Sequence, residues 1–113
     1  MGLVKIRTKV DLGEGIMNDI SKLAELRKLL LGMERALGLE DLSSVERDIY
    51  YAASELAKST PGVRTTVLLN HTLMQDVSRP TFFRALKSLV GKGYLSQSAT
   101  SRRGVYLVNS PQK

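Results

Sequence analysis

The sequence contains no cysteine and only one histidine among its 113 residues. Without cysteine there are no disulfides or thiolate metal sites, and a single imidazole is too few for a histidine-based metal or catalytic cluster. No apolar run approaches the roughly 20 residues of a membrane-spanning helix, and the amino terminus lacks the long apolar stretch of a signal peptide. We therefore expect a cytoplasmic protein with no metal, no other cofactor and no membrane contact.

The sequence also lacks the patterns that usually accompany catalysis. It has no evident carboxylate pair, no nucleophile beside a base and no phosphate-binding glycine loop. We therefore expect a protein that is not an enzyme and has no catalytic residues. At 113 residues, with 42% hydrophobic residues, the chain has enough apolar side chains for one modest core.

Acidic residues are scarce in the second half of the chain. Residues 61–113 contain eight lysines and arginines but only one acid, Asp76, whereas residues 11–60 contain six bases and ten acids. The net charge of +6 is therefore concentrated toward the carboxyl terminus. This asymmetry favours an anionic partner, and double-stranded DNA is the expected one; the alternative is a basic surface that is merely solvated.

The stretch 77–95 predicts an amphipathic helix over residues 78–91. Ser78 is a good N-cap, and Pro80 falls in the first turn, where a missing backbone N–H costs nothing. At 100° per residue, one side of the helix collects Phe82, Ala85, Leu86 and Leu89. The other side collects Arg79, Pro80, Phe83, Arg84 and Lys87. The first side suits a protein core, and the second suits an anion.

The amino-terminal third predicts an arm followed by a long helix. Residues 1–17 begin with a two-residue alternation that fits a short strand against the body or a basic arm along DNA. A helix is expected over residues 18–38, with Asn18 or Asp19 as its cap and Gly38 at its end. Five apolar residues at spacings of three and four form a seam on it: Leu23, Leu26, Leu30, Met33 and Leu37. The seam predicts a homodimer interface, and packing on the domain's own core is the alternative.

Between the long amino-terminal helix and helix 78–91, the sequence predicts a second and a third helix. Ser43 and Glu46 form a capping-box motif for a helix that should end near Lys58. A very short strand is expected at residues 63–64, followed by a helix capped by Thr65 or Thr66 that ends near Met74. With the helix at 78–91, this third helix makes a helix-turn-helix. His71 in the third helix is expected to serve packing or to lie on the surface.

The carboxyl-terminal residues predict a two-stranded hairpin. Gly93 can supply a positive φ for the turn, and residues 95–98 and 105–108 alternate as antiparallel strands. The loop between them carries small hydroxyl residues and two arginines, which suit phosphate or minor-groove contacts; a solvated loop is the alternative. Residues 109–113 have no core pattern and are expected to fray as a disordered tail.

The order of these elements resembles a winged helix-turn-helix domain of the bacterial regulator type, similar to the MarR and ArsR groups. The resemblance covers roughly residues 42–108. The residues that carry it are the helix from Ser78 to Leu89, the Gly93-Tyr94-Leu95 lead into the hairpin, and the Arg102-Arg103-Gly104 tip. The turn before Ser78 is a residue or two longer than in the usual compact motif.

The resemblance implies a mainly α fold with a small antiparallel β-sheet, here a winged helix-turn-helix with an extra amino-terminal helix. It also implies a sequence-specific DNA-binding transcriptional regulator, with helix 78–91 in the major groove and wing 96–107 on the backbone or minor groove. The expected DNA contacts are Arg64, Ser78, Arg79, Pro80, Thr81, Phe83, Arg84, Lys87, Lys92, Thr100, Ser101, Arg102 and Arg103. Two alternatives stay open: a winged-helix module that binds an acidic protein, and a protein that coats DNA without sequence preference. The sequence identifies no small-molecule effector.

Overall fold

A computed structural model describes residues 14–98 and 104–111. The backbone forms two compact units that divide between Ala36 and Leu37. The first unit contains one long helix, α1, over Glu14–Ala36. The second contains the remaining helices and a small sheet.

Helix α1 begins four residues earlier than the sequence predicted. Asn18 and Asp19, the predicted caps, lie inside the helix, and Gly15 belongs to its first turn. Glycine costs about 1 kcal/mol relative to alanine in a helix interior, and at the end of a 23-residue helix this cost does not prevent an extra turn. The predicted arm or strand over 1–17 is therefore wrong for residues 14–17, and residues 1–13 lie outside the described part. The predicted end is confirmed, since Gly38 has a φ of 73°.

The second unit is mainly helical, with a three-stranded antiparallel sheet. Its elements are α2 (Ser44–Leu56), β1 (Val63–Arg64), α3 (Thr65–Leu69), a 3₁₀ helix (Thr72–Met74), α4 (Arg79–Gly91), β2 (Leu95–Gln97) and β3 (Val105–Val108). Strand β3 lies in the middle and pairs antiparallel with both neighbours, Val63 opposite Tyr106 and Leu95 opposite Val108. This arrangement is compatible with a winged-helix fold and confirms the predicted fold class.

The core of the second unit lies between its helices and its sheet. Helices α2 and α4 pack against each other, and the most deeply buried large side chains come from α2, β1, α3, α4 and β2. These side chains are Ile49, Val63, Leu68, Phe82, Leu89 and Leu95. The start of α2 follows the predicted capping box: the Glu46 N–H donates to Ser43 Oγ at 3.2 Å, and the Ser43 N–H donates to Glu46 Oε1 at 2.9 Å.

The start of α3 differs from the prediction. Its N-cap is Arg64, which makes no side-chain cap bond, so the predicted cap by Thr65 or Thr66 is wrong. Thr65 is used by the sheet instead. Its N–H and its hydroxyl both donate to the Gly104 carbonyl, at 2.8 and 3.2 Å. Because the Thr65 hydroxyl bonds to the Gly104 carbonyl at the end of the hairpin loop, it does not cap α3.

The end of α3 also differs, because α3 stops at Leu69 and does not reach Met74. A separate 3₁₀ helix begins after His71, which has an extended backbone and accepts the Leu73 N–H on Nδ1 at 3.1 Å. A side chain that bonds to the backbone two residues on competes with continued helix. The link between α3 and α4 is therefore a capped 3₁₀ turn.

The predicted fraying after Val108 does not hold for Asn109. Its N–H donates to the Tyr94 carbonyl, and its side-chain amide donates to the Gly93 carbonyl at 2.9 Å and to Ser96 Oγ at 2.8 Å. Its own carbonyl accepts the Tyr50 hydroxyl at 2.5 Å. Asn109 thus ties β3 to α2 and to the start of β2, so the ordered fold continues beyond Val108.

Candidate nucleic-acid interface

Helix α4 has the two faces that its sequence predicts. Phe82, Ala85, Leu86 and Leu89 are buried in the core. Arg79, Pro80, Phe83, Arg84 and Lys87 are exposed on the opposite side. Because the buried side fixes the rotation of the helix about its axis, the three cations Arg79, Arg84 and Lys87 all face solvent. Within the described ranges 14–98 and 104–111, none of the three forms an ion pair.

The first turn of α4 is capped by its own hydroxyl residues. Ser78 Oγ accepts the Thr81 N–H at 3.3 Å and donates to Thr81 Oγ1 at 2.9 Å. Pro80 has no N–H, so Arg79 is the one position among the first three of the helix whose N–H this cap leaves for a ligand. The two predicted phosphate contacts, Ser78 and Thr81, therefore lie together at the helix start with part of their hydrogen-bonding capacity already used.

Phe83 is 44% exposed, which is unusual for a large aromatic side chain. Its ring contacts the buried ring of Phe82 edge-on, with centroids 5.0 Å apart and an interplanar angle of 86°. This contact gives Phe83 a fixed support on one edge. The rest of the ring stays on the exposed side of α4, between Arg79 and Lys87.

An open cleft of about 290 Å³ lies between the start of α2 and the side of α4. Arg84 and Thr81 line it from α4, and Glu46 lines it from α2. The cleft therefore combines a guanidinium with a carboxylate. The carboxylate disfavours a phosphate at this point, so the exposed cations suit phosphate better along the outer edge of α4.

Glu46 holds Lys92, one of the predicted DNA contacts. Lys92 Nζ donates to Glu46 Oε1 at 3.0 Å, and the Glu46 side chain is 10% exposed. Burial by itself raises the pKa of Glu46. Hydrogen bonds from Ser88, from the Ser43 N–H and from Lys92, with the attraction of the Lys92 charge, outweigh it, so the pKa lies below its ordinary value. Lys92 thus has a structural partner and a partly exposed ammonium.

Arg64 lies apart from α4, at the junction of β1 and α3, where it is exposed. It borders a second, largely apolar cavity of about 300 Å³ that Leu56, Val63 and Val67 also line. The structure therefore places this predicted DNA contact on the side of β1, beside the sheet. Four other predicted contacts, Thr100, Ser101, Arg102 and Arg103, lie outside the described residues, between β2 and β3.

The predicted dimer seam is exposed along its whole length. Its five residues are Leu23, Leu26, Leu30, Met33 and Leu37, and each side chain is between 40 and 64% exposed. The buried core cluster contains none of these five residues. Packing of the seam on the chain's own core stays the alternative prediction.

The sequence did not reveal two residues that shape this region. His71 caps the 3₁₀ turn before α4, and its Nε2 lies 2.6 Å from Glu55 Oε1 on α2. Asn109 holds the base of the hairpin through the Gly93 carbonyl and Ser96. For Asn109, the only signal in the sequence was an amide residue directly after a strand, where such side chains often bond to nearby backbone. Nothing in the sequence showed that Glu55 would reach His71.

Residues 14–98 and 104–111 contain no group of acidic or histidine side chains that could hold a metal ion. Over the same ranges, no helix is long and apolar enough to cross a membrane. The chain matches no protein-family model, and no curated protein matches it.

Proposed function

We propose that this protein is a sequence-specific DNA-binding transcriptional regulator of the winged-helix type. In this proposal α4 enters the major groove and the β2–β3 hairpin contacts the backbone or the minor groove. The protein acts as a homodimer through α1. The proposal includes that the regulator is of the bacterial type similar to the MarR and ArsR groups.

One observation carries the proposal: α4 buries one face in the core and presents Arg79, Phe83, Arg84 and Lys87 on the other. Arginine donates two hydrogen bonds to guanine O6 and N7, and an apolar ring packs against the methyl group of thymine. A mixed cationic and aromatic face therefore fits base edges better than it fits a uniform phosphate surface. The B-DNA major groove, about 12 Å wide, admits one helix of this kind.

Charge supports the same proposal at longer range. Residues 61–113 contain one acid against eight bases, so the half of the chain that contains α4 attracts a polyanion. Glu46 neutralises one of these bases, Lys92, through a direct contact. The cations on the outer side of α4 keep their charge for a ligand.

The experiment that tests the proposal is selection of bound fragments from the source genome, followed by fluorescence anisotropy on a recovered fragment and on a random duplex of equal length. We expect the recovered fragment to bind at least about a thousandfold more tightly at physiological salt. Equal affinity for the two duplexes would favour a protein that coats DNA. Failure to bind either would favour a module for an acidic protein.

A salt titration of the same complex checks the electrostatic part. Each phosphate neutralised by a lysine or arginine lowers the slope of log K against log salt by roughly 0.9. A dimer that brings several cations to each half-site should therefore lose about a thousandfold or more in affinity between 50 and 200 mM salt. A flat response would contradict phosphate neutralisation.

A further inference from the structure

We infer that α1 pairs along its full length, antiparallel, with α1 of a second copy of this chain. The inference rests on the dimer of the proposed function and adds its geometry. It does not depend on DNA.

The apolar surface of α1 requires a partner. Nine large apolar side chains within Glu14–Ala36 are 40% or more exposed: Ile16, Met17, Ile20, Leu23, Leu26, Leu29, Leu30, Leu31 and Met33. Exposed apolar surface of this extent marks an interaction site. Apolar residues at alternating spacings of three and four fit the same helix of a second copy, because such seams are self-complementary.

Charge argues against a parallel pair. With Leu23 and Leu30 at heptad position a and Leu26 and Met33 at d, Asp19 also falls at d. A parallel, in-register pair places each d residue against its own copy, so two Asp19 carboxylates meet inside the seam. It also places Lys22, at position g, beside Arg27 of the second copy, at position e, and symmetry repeats this contact. Like charges at these positions repel.

An antiparallel pair removes both conflicts. One register pairs a with d along the whole helix: Ile16 faces Met33 of the second copy, Leu23 faces Leu26, and Asp19 faces Leu30. In this register Lys22 lies near Leu29 of the second copy, and Arg27 lies near Ile20. Asp19 is in the second turn of the helix and no longer meets a second carboxylate. Met17 and Leu31, at position b, stay outside the seam. The antiparallel register thus covers the other seven exposed apolar side chains without placing like charges together.

The length of α1 makes the antiparallel and parallel arrangements distinguishable. A helix of 23 residues is about 35 Å long. In an antiparallel pair the two chains leave α1 at opposite ends, so their Ala36 residues are about 35 Å apart. A parallel pair would bring the two exits to within about 10 Å, the usual distance between packed helix axes.

The absence of native cysteine allows a direct test by disulfide trapping without DNA. We would prepare Ile16→Cys and Met33→Cys variants with tags of different mass, mix them, and oxidise them mildly. The antiparallel register predicts a mixed Ile16→Cys/Met33→Cys disulfide and none within either variant alone. Two copies of position 16 would lie about 25 Å apart in this pair, and a disulfide needs Cα atoms within about 7 Å. Lys28→Cys, on the outer side of the helix, is the control that should not cross-link.

A second measurement leaves the seam untouched. A spin label at Arg35→Cys should give a distance of about 30 Å between the two copies in the antiparallel pair and under about 20 Å in a parallel one. Disulfides within each variant alone, a short label distance, or a monomer in sedimentation would overturn the inference. Cross-linking without any DNA binding would overturn the proposed function and leave the helix pair standing.

Discussion

Among individual side chains, Glu46 links the start of α2 to the end of α4, the two helices that pack against each other in the core. Its carboxylate accepts the Ser43 N–H at the start of α2 and the Lys92 ammonium just after α4, and its side chain is almost buried. We expect Glu46→Gln to lower the free energy of unfolding by about 1 kcal/mol at pH 7, because charge-assisted hydrogen bonds are about twice as strong as neutral ones. Urea unfolding of the variant and the parent measures this difference.

The same substitution has a defined pH dependence. The folded pKa of Glu46 is lowered, so its contribution is fully present above the unfolded value near 4.5 and is lost as pH falls through the folded value. The stability difference between Glu46→Gln and the parent should therefore shrink below about pH 4. Asp76→Asn, at an exposed position, is the matched control and should change the free energy of unfolding little. A constant difference for Glu46→Gln down to pH 3 would contradict the charge-assisted network.

His71 illustrates how one side chain sets a turn. Because Nδ1 accepts the Leu73 N–H, the proton of the neutral ring is on Nε2, which donates to Glu55 Oε1. We expect His71→Ala to lower the free energy of unfolding by about 1 kcal/mol, as loss of a cap usually does. His71→Asn should retain most of that stability, since its amide oxygen can accept the same N–H. Equal losses for alanine and asparagine in thermal or urea unfolding would show that the cap contributes little.

At the level of elements, α4 supports a prediction about base recognition. Arg84→Ala and Arg79→Ala should each cost about 1–3 kcal/mol of discrimination at a particular base pair of the selected site. Arg84→Lys is the sharper variant, since lysine keeps the charge but lacks the planar pair of donors. It should hold its affinity for random duplex and lose discrimination at that base pair. Anisotropy titrations against singly substituted sites measure both quantities, and equal losses on all sequences would rule out direct readout by these residues.

The sequence predicted most elements because their signals are local. Ser78 and Pro80 start α4, Ser43 and Glu46 start α2, and the spacing of Phe82 and Leu89 defines a buried face. The errors lie where a distant residue competes with a local signal. Thr65 bonds to Gly104, 39 residues away, and gives up its capping role. The predicted start of α1 is wrong for another reason. Asn18 and Asp19 are good N-cap residues, but a strongly helical stretch continues through them to Glu14.

The candidate interface was predictable only in part, for the same reason. The exposed face of α4 follows from helical periodicity, so the positions of Arg79, Phe83, Arg84 and Lys87 could be inferred. The partner of Lys92 could not, because Glu46 is 46 residues away and meets it only through the packing of α2 on α4. A basic residue in sequence is therefore a weaker predictor of a DNA contact than a basic residue whose surroundings are known.

For the whole molecule, charge and apolar surface are divided between the two units. The first unit contains the exposed apolar side chains of α1, and the second contains α4 and most of the excess positive charge. In the proposed function, the first unit holds two copies together and the second binds DNA. The dimer should then bind DNA far more tightly than a single chain, because its two DNA-binding units are linked and bind two half-sites together.

This division predicts a strict dependence on half-site spacing. If the antiparallel pair of α1 helices sets a separation of about 35 Å, the selected site should contain two half-sites with centres about 10 base pairs apart. Inserting five base pairs between them moves the second half-site to the opposite side of the duplex, so only one unit can bind, and affinity should fall at least about a hundredfold. Inserting ten base pairs restores the facing side but doubles the separation, so affinity should fall here too if α1 sets the distance. Strong binding to both altered sites, measured by anisotropy, would show that α1 does not set the distance between the DNA-binding units.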